Sequence, residues 1–191
     1  MPEQEHILIA KAQRGNIQAF EQLIYRYDAQ VMALIYNMVN NSEDARDIYQ
    51  DVFVKVFTAI KKFRQDSKFE TWVYRIAINT CINFRKSRSR FQFDEFNELD
   101  NNQINDNARS NESQPDQSVL NAELNSHIQE AISSLSPKQR AVFVLRHYHE
   151  YKLSEIADML GYSDGTVKNY LFRATQKMKV QLQELYEDHE S

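Results

Sequence analysis

The feature that most constrains this fold is the three- and four-residue spacing of apolar side chains, which recurs along most of the chain. That spacing is typical of amphipathic α-helices, and 3 glycines and 3 prolines are too few for the turns of a β-rich domain. Residues 93–118 interrupt it with Asn, Asp, Gln and Ser, a composition that cannot bury enough apolar surface to order itself. We therefore predict an all-α protein with two small helical domains, residues 1–92 and 119–187, joined by a flexible acidic linker.

The N-terminal domain is predicted to contain four helices. The first covers residues 5–14, and the second runs unbroken from an Asn16 cap to about Met38. The third begins at Ser42 and continues to about residue 63. The fourth covers residues 70–90. In the C-terminal domain, the segment from Ser136 to Gln139 has the form of a capping box with proline at the first helical position.

Residues 153–178 predict a helix-turn-helix in the C-terminal domain. Ala157 lets two helices cross closely, Gly161 permits the turn, and Val167 anchors the second helix under the first. Ser163 is a natural N-cap for that second helix. An ordinary helical hairpin with a solvated polar face is the alternative. The side chains left to face outward can reach phosphates or base edges; they are Thr166, Lys168, Asn169, Tyr170, Arg173 and Lys177.

A second polar stripe follows one side of the fourth predicted helix. Aromatic rings stack on unpaired bases, amides bond to base edges and cations hold phosphates, so this combination suits strand-separated DNA. The alternative is that Trp72 belongs to the core and the cations only solvate the helix end. The stripe consists of Trp72, Arg75, Asn79, Asn83, Lys86 and Arg90.

The distribution of charge supports nucleic acid as a partner, although the net charge is −4. Residues 61–90 carry nine basic and two acidic side chains (+7), residues 91–118 carry one and seven (−6), and residues 138–179 carry eight and four (+4). Local fields of this kind steer binding to phosphates more than the total charge does.

No group of residues predicts catalysis. Histidines lack partners at metal-ligand or triad spacing, and Gly-rich phosphate loops are absent, so we expect no enzyme activity, no metal and no cofactor. Cys81 is the single cysteine and is expected in the core, which suits a reducing cytoplasm. Neither a membrane span nor a signal peptide is expected.

Taken together, the motifs of both halves resemble those of the extracytoplasmic-function (ECF) sigma factors, two-domain promoter-recognition subunits of bacterial RNA polymerase. Residues 43–53 are similar to region 2.2 of that family, and residues 69–79 to regions 2.3 and 2.4. Residues 135–140 and 155–168 are similar to region 4. The resemblance covers nearly all of the chain except the linker.

This resemblance implies a role for each motif. Region 2.2 would dock on the clamp helices of the largest polymerase subunit, through Asp44, Asp47, Gln50, Asp51 and Phe53. The loop from Arg64 to Lys68 would hold a base flipped from the −10 element, and the stripe from Trp72 to Arg90 would contact the melting strand. The helix-turn-helix, with Ser163 among its contacts, would read the −35 element. The implied partners are core RNA polymerase (clamp helices and flap), promoter DNA and an anti-sigma factor.

Some positions depart from the family pattern. Asn83 stands where Asp is usual, Ile78 where a basic residue is common, and Asn169-Tyr170 where Ser-Arg is frequent, so the promoter sequence cannot be transferred. Two other classes remain open from the residues themselves. One is a conventional helix-turn-helix regulator that binds duplex DNA without a polymerase-subunit role, and the other is an interaction adaptor that has lost DNA binding.

Overall fold

The computed structural model describes residues 2–96 and 118–189, and each regular element in these ranges is helical, as the sequence predicts. Residues 97–117, most of the predicted linker, lie outside the described residues. The elements are α1 (Pro2–Gln13), α2 (Ile17–Tyr25), α3 (Asp28–Val39), α4 (Ser42–Ala59), a 3₁₀ turn (Ile60–Lys62), α5 (Phe69–Phe96), α6 (Ser118–Ser134), α7 (Pro137–His147), α8 (Leu153–Leu160) and α9 (Asp164–His189).

The N-terminal domain is built around α3, α4 and α5, which pack against one another, while α1 packs on α2 and on the 3₁₀ turn. Side-chain oxygens cap two of its helices. The Oδ1 atom of Asn16 accepts a 2.8 Å hydrogen bond from the N–H of Ala19. The Oδ1 atom of Asn41 accepts from the N–H groups of both Glu43 and Asp44, so each asparagine satisfies otherwise unpaired helix donors.

The prediction of one unbroken helix from Asn16 to Met38 is wrong, because the chain bends at Arg26 and Tyr27, between α2 and α3. Tertiary contacts explain the bend. The Tyr27 hydroxyl donates a 2.6 Å hydrogen bond to Glu5 in α1, and its ring lies 5.7 Å from the ring of Phe69. Neither Gly nor Pro stands at the bend, so the local sequence gives no sign of it.

The C-terminal domain has the predicted helix start and the predicted turn. Ser136 and Gln139 form a reciprocal capping box, with N···O distances of 3.4 and 3.3 Å. Gly161 ends α8 with φ +68°, a left-handed conformation that glycine adopts without steric cost. Below the turn, Ala157 and Val167 are both buried.

The two domains pack together, and one continuous set of buried apolar side chains runs from α1 into α9. Helix α3 lies against α6 and α7, while α5 lies against α7 and α8. Arg140 is fully buried at this junction, and its Nη1 atom donates a 2.7 Å hydrogen bond to the carbonyl of Met38. Helix α5 also continues to Phe96, four residues into the range predicted as linker.

Candidate nucleic-acid interface

The second helix of the helix-turn-helix is held in place by its own N-terminal residues. The Ser163 hydroxyl accepts a 3.2 Å hydrogen bond from the N–H of Thr166, and the two hydroxyl oxygens are 2.8 Å apart. Ser163 is therefore the N-cap that the sequence predicts. Because both hydroxyls are engaged within the turn, their first role in the free chain is structural.

The outward residues of α9 differ in solvent exposure and in the contacts they already make within the protein. Lys168, Asn169 and Arg173 are exposed. Tyr170 is partly buried, with its ring 5.7 Å from that of Tyr162. Lys177 is exposed, but its Nζ atom donates a 2.5 Å hydrogen bond to the carbonyl of Ser134 in α6. The first three residues thus form the accessible part of the predicted −35 face.

Phe172 extends this face in a way that the sequence analysis missed. Its side chain is 64% exposed on α9, beside Arg173. An apolar ring can contact the methyl group of thymine in the major groove. The available signal was its place outside the apolar row of α9, which is formed by Val167, Leu171, Ala174 and Met178.

The loop between the 3₁₀ turn and α5 is anchored by a residue that the sequence analysis did not single out. The Nε2 atom of Gln13 in α1 donates to the carbonyls of Ile60 and Phe63, at 3.2 and 2.8 Å. Within the loop Gln65 has φ +61°, an uncommon conformation for a residue with a side chain. Gln13 therefore fixes the start of the segment that contains Arg64 and Lys68.

Four predicted −10 residues come together in one cleft of about 580 Å³. They are Arg64, Lys68, Trp72 and Arg75. The Trp72 ring also lies 4.8 Å from that of Phe63 and 5.6 Å from that of Phe69. The ring therefore packs against the core, as the alternative interpretation has it, and it also lines the cleft; its contact with DNA stays a prediction.

The remaining stripe residues continue along α5 beyond the cleft. Asn79, Asn83 and Lys86 are exposed, in helical register with Arg75. The side chain of Arg90 lies outside the described residues. The structure therefore separates the stripe into a cleft end and an open polar surface.

The predicted polymerase-docking residues all lie on α4, but they differ in solvent exposure and in the contacts they make. Asp47, Gln50 and Asp51 are exposed. Asp44 pairs with Arg88 of α5, with an N···O distance of 2.5 Å. Phe53 is partly buried, with its ring 4.4 Å from that of Tyr49.

Helix α4 also presents an apolar residue that the sequence analysis missed. Val54 is 63% exposed and lies three and four residues beyond Asp51 and Gln50, so it shares their side of the helix. Val54 therefore adds an exposed apolar side chain to the polar surface that Gln50 and Asp51 form. The available signal was its place outside the buried row of α4.

Burial shifts the pKa of the Cys81 and Arg140 side chains in the part of the chain that the structure describes. Cys81 is fully buried, as expected, and burial raises the pKa of its thiol to about 12. Burial, together with Arg85, lowers the pKa of Arg140 to about 9, so this guanidinium stays charged at neutral pH. Within residues 2–96 and 118–189, no cluster of three His, Cys, Asp or Glu side chains could hold a metal ion. None of the helices described is long and apolar enough to span a membrane.

Comparison with protein families matches each domain separately. Sigma-70 region 2 matches residues 23–91, and Sigma-70 region 4 matches residues 127–178. The RNA polymerase sigma-H factor of Pseudomonas aeruginosa is 31% identical over 96% of this chain and 96% of its own length. The ECF RNA polymerase sigma factor SigW of Bacillus subtilis is 31% identical over 93% of this chain and 96% of its own length.

Solved structures share the fold at lower identity. CnrH, solved in complex with the cytosolic domain of CnrY, matches with a TM-score of 0.66 and 24% identity, over 95% of this chain and 98% of that one. The sigma factor RpoE of Bartonella quintana, solved with the anti-sigma factor NepR, matches with a TM-score of 0.64 and 19% identity, over 86% of this chain and 96% of that one. At these identities the likeness concerns the fold alone.

Proposed function

The chain belongs to the sigma-70 family as an ECF sigma factor, a non-enzymatic subunit that directs transcription initiation by RNA polymerase, and we propose that its two domains divide promoter recognition between them. The observation that carries this proposal is the pair of basic surfaces on separate domains. One is the cleft and stripe of residues 64–86, and the other is the exposed face of α9. A conventional regulator or an adaptor would have no use for the first surface.

The face of α9 is proposed to bind the −35 element as duplex DNA. A helix-turn-helix places its second helix in the major groove, with the first turns of that helix nearest to the bases. Lys168 and Arg173 provide cations there, while Asn169 provides an amide that can pair with adenine. Phe172 adds an apolar contact.

The cleft and the α5 stripe are proposed to bind the −10 element as it opens. The cleft combines an indole ring with four cations, those of Lys62, Arg64, Lys68 and Arg75, which suits a base lifted from the stack and its phosphates. Asn79 and Asn83 then meet the following bases along α5. Gln13 supports this function by holding the loop that carries Arg64.

The exposed side of α4 is proposed to dock on the clamp helices of the largest polymerase subunit. Asp47, Gln50 and Asp51 supply the polar contacts, and Val54 supplies apolar area at the C-terminal end of the patch. The flap is proposed to meet the C-terminal domain. Asp44 acts differently, because its ion pair with Arg88 links α4 to α5.

We further propose an anti-sigma factor as a regulatory partner and the cytoplasm as the site of action. The first proposal is supported by the anti-sigma complex in which the RpoE relative of similar fold was solved. The second is supported by the requirement for RNA polymerase. The predicted linker, residues 93–118, is proposed to let the domains reach two separate promoter elements.

A reconstitution experiment tests this function. Purified protein is mixed with core polymerase and genomic DNA fragments from the source organism, and the 5′ ends of the transcripts are sequenced. We expect stable binding to core and a defined set of start sites that share two upstream motifs. Core alone and the protein alone are the controls. Failure to bind core, or start sites identical to those of core alone, would contradict the proposal.

A further inference from the structure

None of the described side chains of α1 lines the cleft, but this helix holds the loop that forms one of the cleft walls. The Nε2 atom of Gln13 donates to the carbonyls of Ile60 and Phe63, at 3.2 and 2.8 Å. The far end of the loop is fixed by α5, because the N–H of Trp72 donates a 3.1 Å hydrogen bond to the carbonyl of Lys68. Gln13 is therefore the anchor of the near end.

The loop between these two anchors has no regular structure to maintain its shape. It lies between the 3₁₀ turn and α5, and within it Gln65 has φ +61°, a conformation that costs energy for a residue with a side chain. Such a segment keeps one shape only while the surrounding structure holds it there. Because Arg64 and Lys68 belong to the loop and line the cleft, the position of this wall depends on the Gln13 anchor.

A second connection runs from α1 to the indole ring in the cleft. The Tyr27 hydroxyl donates a hydrogen bond to Glu5 of α1, and the Tyr27 ring lies 5.7 Å from that of Phe69. The Phe69 ring in turn lies 5.6 Å from the rings of both Trp72 and Phe63. The loop wall and the indole ring are thus both braced by the same helix.

We propose that Gln13 is a positioning residue for base capture: it sets the distance between the loop wall and the Trp72 ring, and so determines how strictly the cleft selects one base of the −10 element. This inference rests on the proposed function, since it assumes that the cleft holds a base lifted from that element. A wall that moves adapts to bases of different size, whereas a fixed wall favours one of them. Residues 23–91 match Sigma-70 region 2, so the brace comes from outside the matched segment.

The test measures base selectivity at each position of the −10 element. The full chain is assembled with core polymerase and used on a promoter that the reconstitution has identified. Each −10 position is replaced in turn by each of the four bases, and initiation is measured on every template. The selectivity ratio is initiation with the preferred base divided by initiation with the next best base. Trp72→Ala identifies the position that the cleft reads, because its ratio should fall most there.

Two variants remove the anchor in different ways. Gln13→Met keeps the length of the side chain without a donor, and in Gln13→Glu the carboxylate accepts but does not donate. Gln18→Met and Gln18→Glu are the matched controls, because Gln18 is exposed on α2. We expect both Gln13 variants to lower the ratio at the position identified by Trp72→Ala by at least about fivefold, and the other ratios by less than about twofold. The controls should match wild type.

The free chain provides a second readout, because Trp72 is the only tryptophan in the sequence. Its ring lies 4.8 Å from that of Phe63, which follows the loop when the anchor is lost. The opposite wall of the cleft, formed in part by α8, is the same in every variant. We expect iodide to quench the emission of Gln13→Met more than that of wild type, and to quench Gln18→Met to the same extent as wild type.

The outcomes separate positioning from a general structural role. An equal fall in initiation on all templates, with unchanged ratios, would overturn the proposal, and so would quenching of Gln13→Met equal to that of wild type. An effect of Gln13→Glu without one of Gln13→Met would assign the change to the added charge. Gln13→Asn keeps the amide but shortens its reach, so it is expected to lower the same ratio less and serves if the other two variants fail to fold.

Failure of the inference is distinguishable from failure of the proposed function. Wild-type protein that does not initiate with core polymerase would remove the proposed function, and the role of Gln13 with it. A Trp72→Ala variant that lowers no ratio would remove the assignment of the cleft to a −10 base. Normal initiation by wild type, with ratios that Gln13→Met and Gln13→Glu leave unchanged, would remove only the role of Gln13.

Discussion

Arg140 of α7 donates a 2.7 Å hydrogen bond to the backbone carbonyl of Met38 of α3, 102 residues earlier in the chain. This bond is buried at the junction of the two domains, and it satisfies only one of the guanidinium nitrogens of Arg140. A cation placed in this way joins the domains and also destabilises their junction. The first prediction separates these two effects.

Arg140→Met is expected to raise the free energy of unfolding by about 1–3 kcal/mol, because removal of a poorly paired buried charge outweighs the loss of one hydrogen bond. Arg146→Met is the matched control, since Arg146 also bonds to a backbone carbonyl, that of Tyr151, but is exposed. Its loss is expected to cost at most about 1 kcal/mol. Urea unfolding measures both, and a strongly destabilised Arg140→Met would show that the buried bond dominates.

The two glycines of the helix-turn-helix, Gly161 at the turn and Gly165 in the first turn of α9, are expected to change stability in opposite directions when replaced by alanine. Gly161→Ala should destabilise the chain by about 1–2 kcal/mol, because φ is +68° there although no atom lies within 4 Å of an added Cβ. Gly165→Ala should stabilise it by about 0.5–1 kcal/mol, since Gly165 is helical and an added Cβ meets only Ser163 Oγ at 4.0 Å. Thermal unfolding of the two variants measures the difference, and the same sign for both would be contrary to the structure.

His149 is expected to make stability depend on pH. Burial lowers the pKa of its imidazole below 6.5, so the folded chain binds the proton more weakly than the unfolded chain does. Stability from this group is therefore complete above pH 6.5 and is lost as the pH falls below that value. The difference in unfolding free energy between wild type and His149→Gln, measured by urea titration across this range, should shrink on acidification. A difference independent of pH would count against this assignment.

On the −35 face, Arg173 is expected to contribute more to DNA affinity than Lys177. Arg173→Ala should weaken binding of a −35 duplex by about 1–3 kcal/mol if the side chain reads a base. Lys177→Ala should cost less, because its ammonium already bonds to Ser134. Fluorescence anisotropy over a range of salt concentrations measures both the affinity and the number of phosphate contacts. A larger loss of affinity for Lys177→Ala than for Arg173→Ala would contradict this expectation. It would mean that Lys177 leaves the carbonyl of Ser134 when the protein binds DNA.

Local chemistry made much of the fold predictable. The capping box at Ser136 and the left-handed Gly161 depend on interactions within a few residues, and the sequence displays both. The bend at Tyr27 depends on Glu5 and Phe69, which are remote in sequence, so periodicity alone merged α2 and α3 into one helix.

The candidate site shows the same division between local and remote determinants. Helical spacing was sufficient to place Arg75, Asn79 and Asn83 on one side of α5. It could not show that α8 forms the opposite wall of the cleft, because this depends on how two domains meet across a segment without helical pattern. Arg140 differs most from what the sequence predicts. An arginine in an amphipathic helix is expected to face solvent, but Arg140 is fully buried.

The central claim, that α5 acts on the opening strand, is tested most directly by permanganate reactivity of −10 thymines on a promoter identified with the reconstituted polymerase. Asn79→Ala combined with Asn83→Ala is compared with wild type and with Ser87→Ala, an exposed α5 position outside the stripe. The account predicts that the double variant still binds core and the promoter, while its thymine reactivity falls at least about tenfold, equivalent to about 1.4 kcal/mol, and Ser87→Ala opens DNA as wild type does. Full reactivity in the double variant would contradict the account.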